Sequence, residues 1–147
     1  MEGSHAMKDM TSEEQAALQK KYFPRVPWTE NGPERRLYRA ITAAGDGAVL
    51  EALAALAERE GFTAPGEATV IGGAEECLAA FRQKAAGGKI GMIFGAAPAA
   101  HWCDIAAGEA DADGWRTLIV RSEEGENLTA LAHNEGLLRF RRAKETP

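Results

Sequence analysis

Between Trp115 and Arg142 the chain is cut into short apolar runs by polar turns, and this pattern limits the fold more than any other feature. Trp115-Arg116-Thr117-Leu118-Ile119-Val120-Arg121 is rich in β-branched and aromatic residues and reads as a strand. The turn Asp111-Ala112-Asp113-Gly114 precedes it and Glu123-Glu124-Gly125-Glu126 follows. Asn127 to Ala132 then reads as a strand, His133-Asn134-Glu135-Gly136 as a turn, and Leu137 to Arg142 as the final strand. Runs of this length joined by Gly- and Asn-bearing turns predict an antiparallel meander. A meander has one face to bury, and upstream helices must cover it.

The first half supplies that cover. Thr11-Ser12-Glu13-Glu14 is a capping box that opens a helix running to about Tyr22. The two prolines of Phe23-Pro24-Arg25-Val26-Pro27-Trp28 forbid a helix there. The aromatics beside them predict an extended strap packed across the body, so residues 11–30 read as an N-terminal helix and strap. Asn31-Gly32-Pro33-Glu34 is a helix start, with Leu37, Tyr38, Ile41 and Ala44 following at helical spacing up to Gly45. Asp46 caps a third helix, whose Val49, Leu50, Leu53, Leu56 and Ala57 form one apolar stripe closed by Gly61. Glu67 to Ile71 is a short strand, the stretch from Gly73 through Cys77, Leu78 and Phe81 a helix, and Lys89 to Phe94 a strand. Their spacing suits a crossover unit with parallel strands. The expected class is therefore α+β: a helical N-terminal half of three helices, one strand–helix–strand unit, and a C-terminal antiparallel β-meander packed on the helices.

The chain has 147 residues. Met1-Glu2-Gly3-Ser4-His5-Ala6 reads as a cloning or tag remnant ahead of Met7, leaving 7–147 as a single domain large enough for its own core. A formal charge of −5 makes the chain a poor partner for nucleic acid or acidic membrane surfaces. The second of the paired helices before Gly61 is also short of the Lys and Arg that a DNA-reading helix needs. No apolar run approaches the span of a bilayer. Two cysteines, Cys77 and Cys103, make no disulfide framework, so reduced thiols in a cytoplasmic protein are the expectation.

Several stretches carry chemistry. Gly72-Gly73, between strand and helix, sits where nucleotide folds hold phosphate. Its spacing matches neither glycine fingerprint, and Glu75 and Glu76 would repel an anion there. Ala100-His101-Trp102-Cys103-Asp104 is the most mixed stretch. Cys103 as nucleophile, His133 as base and Asp104 as orienting carboxylate is the one catalytic constellation available to a thiol-dependent hydrolase or transferase. If it operates, Cys103 reacts faster than Cys77. No paired motif marks a metal site, and none is expected; no cofactor is implied. Arg139, Arg141, Arg142 and Lys144 give the last strand and tail a basic edge, which discourages pairing with another chain.

The Gly- and Ala-rich segment from Gly95 to Ala112 reads as a long loop flanked by Trp102 and Trp115. Its small residues admit a ligand to the backbone. The expected site therefore lies there, with His101, Trp102, Trp115 and His133 as ligand-binding residues. The function expected is a non-enzymatic binding or regulatory domain holding a protein partner or small ligand. The thiol enzyme and a homo-oligomeric interaction protein are the alternatives.

Overall fold

The structure, a computed structural model, describes residues 11–23, 28–29, 32–33, 36–42, 49–96, 102–109, 111–112 and 114–142. Helix α1, Ser12–Tyr22, begins where the Thr11 hydroxyl accepts the Glu14 amide at 3.0 Å, the cap its sequence announces. Trp28–Thr29 (β1) and Gly32–Pro33 (β2) pair as a small antiparallel ribbon. The chain then enters β3, Arg36–Thr42, and helix α2, Val49–Arg59. Strand β4 (Thr69–Ile71), helix α3 (Ala74–Ala85) and strand β5 (Ile93–Ala96) form the expected crossover unit, with β4 and β5 parallel. Strand β6 (Ile105–Ala107), strand β7 (Arg116–Val120), helix α4 (Glu123–Asn134) and strand β8 (Leu138–Arg142) complete the order.

Six strands make one mixed sheet in the order β4-β5-β6-β7-β3-β8. The β4-β5-β6 half is parallel, and every pairing beyond β6 is antiparallel. Apolar side chains alternate across it. Met92, Phe94, Ile105, Ala107, Leu118 and Val120 face a core with Val49, Leu53, Leu56 and Ala57 of α2 and Leu128 and Ala132 of α4. Ile93, Ala106 and Ile119 face a second core with Cys77, Leu78 and Phe81 of α3 and with Phe23. Helices thus cover both faces, which explains why β5 and β6 are apolar at every position instead of every second one. Each fully buried Leu or Phe contributes roughly 1.5–3 kcal/mol from this burial.

The mixed α and β character stands, but the meander does not. Residues 123–134, expected as a polar turn and a strand, are helix α4. Ser122 caps it by accepting the Gly125 amide at 3.0 Å, and Leu128, Leu131 and Ala132 recur at helical spacing. Gly125 is a contact residue, not a turn residue. A Cβ there would lie 3.0 Å from the Asp104 carbonyl oxygen and 3.0 Å from Val120 Cγ1, so its absence lets α4 settle on the sheet. His133 accordingly lies in the last turn of a helix and not in a β-turn. β8 pairs with β3, not with a preceding hairpin partner.

The second expected helix is also overturned. Residues 36–42 form the strand β3, so among the described residues two helices and not three precede β4. Leu37, Tyr38 and Ile41 satisfy a helical period, but Tyr38 and Ala40 satisfy a period of two equally well. The deciding factor is tertiary, because β3 has a ladder on each side, to β7 and to β8. The cap residues Asn31 and Glu34, and Ala44, Gly45 and Asp46, lie outside the described residues. So do residues 24–27 of the strap, while Phe23 at its start is buried and stacks on Phe81 at 5.8 Å between ring centroids. The segment from Gly95 to Ala112 is not one long loop, since β5 reaches Ala96 and β6 occupies Ile105–Ala107. Among the described residues no helix is long and apolar enough to cross a membrane.

Candidate functional site

The carboxyl ends of the parallel strands β5 and β6 open toward the amino end of α2, the place where open α/β sheets commonly receive ligands. A cleft of about 300 Å³ lies there. Its walls are the first turn of α2 (Val49, Leu50, Glu51), the strand ends Ala96, Ala107, Gly108 and Glu109, and Arg116. The strand-end residues all belong to the Gly95–Ala112 segment that sequence reasoning singled out.

Arg116 supplies the positive charge of this cleft. It shares the register of Leu118 and Val120, so the strand turns an arginine toward a core-facing position. Its Nη1 donates to the Gly108 carbonyl at 2.9 Å, which fixes the guanidinium at the cleft wall. Its Nε is buried and has no hydrogen-bond partner among the described residues. The first turn of α2 adds the positive end of a helix dipole, while Glu51 and Glu109 stand exposed among the lining residues. The signal for Arg116 was present in the sequence as a charged residue in phase with the apolar alternation of its own strand.

The residues singled out by sequence fall elsewhere. His101 lies outside the described residues. Trp102 is 2% exposed and packs against Phe81 with centroids 4.8 Å apart, so it belongs to the core. Trp115 is half-buried, with the Arg139 guanidinium 5.8 Å from its ring centroid. His133 is exposed at the end of α4. Cys103 is fully buried in the core between α3 and the sheet, whereas α4 packs on the opposite face. The structure therefore does not bring Cys103 and His133 together.

Asp104 is a clamp. Its Oδ2 accepts the Ile93 amide at 2.8 Å and its Oδ1 accepts the Ser122 hydroxyl at 2.6 Å. Its own amide donates to the Ile93 carbonyl, and its carbonyl accepts from Arg121. One buried carboxylate just before β6 thus joins the start of β5 to the cap of α4, with each of its oxygens engaged in a structural hydrogen bond.

Cys103 does have a chemical neighbour. Its side chain is hydrogen-bonded to Cys77, in the first turn of α3. That bond, together with burial, pushes the Cys103 thiol well above its ordinary range, and the same bond pulls Cys77 below it. Burial and the contact with Cys77 leave no activating base or exposed position at Cys103 of the kind a reactive thiolate uses. The buried guanidinium of Arg121 lowers both. Among the described residues no cluster of His, Cys, Asp or Glu is arranged to hold a metal ion.

A sequence family described as coenzyme F420 hydrogenase/dehydrogenase, and within it the C terminus of the beta subunit, matches residues 96–146. The fold is similar to that of a chain in the F420-reducing [NiFe] hydrogenase complex from Methanosarcina barkeri, with a TM-score of 0.58 and 12% sequence identity. The match covers 76% of this chain and 83% of that one, and at this identity the likeness is one of fold. No curated protein matches the chain.

Proposed function

We propose that the chain is a non-enzymatic binding domain whose small-ligand site is the cleft at the carboxyl ends of β5 and β6. The ligand is a redox cofactor that places one of its anionic groups in the cleft. The observation that carries this reading is Arg116, whose buried Nε has no hydrogen-bond partner among the described residues and lies beside a cleft that also receives the first turn of α2. An unsatisfied buried donor costs roughly 1–3 kcal/mol, a cost removed when the guanidinium turns Nε out of the wall onto a phosphate or carboxylate oxygen in the cleft. Glu51 and Glu109 among the lining residues oppose a cluster of negative charge, so one anionic group of the cofactor enters the cleft and any others stay outside it. A cleft of about 300 Å³ lies at the lower end of small-ligand sites and suits one part of a cofactor. The class of cofactor is suggested by the two relatives, both named for F420. A thiol enzyme built on Cys103 and His133 has no support in their placement.

Calorimetric titration with coenzyme F420, FMN and inorganic phosphate tests the reading. The expected result is saturable binding of at least one cofactor, weaker by about tenfold or more in Arg116→Gln, because a charge-assisted hydrogen bond contributes about 1.5–3 kcal/mol. Circular dichroism checks that the variant is folded, since Arg116 also holds Gly108. Absence of saturable binding for all three, or equal affinity in the variant, rejects the proposal.

A protein partner is the second reading. It is favoured by Val70, the one large apolar residue described as exposed, at 42%, on the outer strand β4, where an added strand or second chain can pair. Sedimentation across a concentration series separates self-association through that edge from a monomer.

A further inference from the structure

We propose, on the footing of the cofactor site above, that the cleft selects an anion with two free oxygens and a single negative charge. A phosphodiester or a carboxylate fits that description, and a doubly charged phosphomonoester does not. The guanidinium of Arg116 is held in a way that favours such a group. Its Nη1 is committed to the Gly108 carbonyl at 2.9 Å. The edge left to a ligand carries Nε and Nη2, two N–H donors side by side. Such a fork matches two oxygens on one central atom, the arrangement of a carboxylate and of the unesterified oxygens of a phosphodiester. Among the described lining residues no hydroxyl or amide side chain is present to take a third oxygen, since Ala96, Ala107 and Gly108 form the strand-end wall.

The charges around the cleft point the same way. Arg116 is the one cationic side chain among the described lining residues, and the first turn of α2 adds the partial positive end of a helix dipole. Against these stand Glu51, in that same first turn, and Glu109, next to Gly108, both exposed. The fixed charges thus come close to cancelling. Attraction of an anion grows in proportion to its charge, whereas the cost of taking it out of water grows with the square of that charge. The second charge of a phosphomonoester therefore adds desolvation cost and repulsion from two carboxylates, with no second cationic side chain to meet it. A single charge meets the Arg116 fork at contact distance, while the exposed glutamates act on it through screening water.

The test titrates the full chain with dimethyl phosphate, acetate and methyl phosphate at one ionic strength, following the amides of Glu51, Gly108 and Glu109 by NMR. Methyl phosphate gains its second charge near about pH 6, so titration at about pH 5.5 and about pH 8 changes its charge and not that of dimethyl phosphate. Dimethyl phosphate, acetate or both should shift these amides saturably, and the tighter of the two identifies the source as a diester or a carboxylate. Between the two pH values dimethyl phosphate should change by less than about twofold, while methyl phosphate should weaken by about threefold or more. In Glu51→Gln/Glu109→Gln that weakening should disappear, and in Arg116→Gln the shifts should be lost for all three ligands. Two results overturn the selectivity and leave the cofactor site standing. One is methyl phosphate binding at about pH 8 as tightly as the better monoanion; the other is a weakening that persists in the double glutamate variant. No saturable shift from any ligand, or shifts unchanged in Arg116→Gln, overturns the selectivity together with the site.

Discussion

Asp104 is an acidic residue in a chemically mixed stretch, and its role is decided by what its two oxygens touch. Replacing it with Ala leaves the Ile93 amide and the Ser122 hydroxyl without acceptors, and two such losses should cost about 2–4 kcal/mol in urea denaturation with little change in slope. Gly91 shows the opposite case, where nothing can be added. A Cβ there would fall 1.2 Å from the Thr63 hydroxyl oxygen, which accepts the Met92 amide at 3.2 Å. Gly91→Ala should therefore lose about 1–3 kcal/mol, and pairing it with Thr63→Ala should cost less than the two changes summed. The thiol pair adds a pH dependence. Above about pH 8.5 the unfolded chain releases both thiol protons. The folded chain releases the Cys77 proton early and holds the Cys103 proton, so unfolding gains from rising pH. Stability should fall from about pH 8.5 to pH 10, and fall less in Cys103→Ala, as read from urea midpoints at each pH.

Elements whose signals are local were legible, and those decided by distant partners were not. The Thr11 cap, the α2 stripe and the β4-α3-β5 crossover all rest on residues within a few positions of one another. β3 does not, because its identity comes from β7 and β8, far along the chain. Helix α4 was missed for another reason. Gly125 reads as a turn residue, yet Ser122 followed by Glu123, Glu124 and the Leu128–Leu131–Ala132 stripe is a helix signal once Gly is allowed a packing role. For the site, the Gly95–Ala112 segment pointed to the right stretch, while Trp102, Cys103 and Asp104 within it are core and clamp. At this scale Ser122→Ala should destabilise by about 1–2 kcal/mol, since the hydroxyl both caps α4 and donates to Asp104. Thermal melts followed at the helical circular-dichroism signal measure it.

Across the molecule, one sheet is shared by two cores, so neither face can loosen alone. Leu53→Ala, in the α2 face, should cost about 2–5 kcal/mol and lower the denaturation midpoint seen by Trp fluorescence as much as that seen by circular dichroism, although Trp102 belongs to the other face. Separate midpoints would mean that the layers unfold independently. The strand order also has a consequence for how such a chain is made. β3 is translated early, but its neighbours on both sides are translated last. On a ribosome adding about 5–20 residues per second, that strand waits several seconds with two bare edges. During those seconds it offers a pairing surface to any other nascent chain, and a product lacking the final Leu138–Arg142 stretch would keep one such edge permanently.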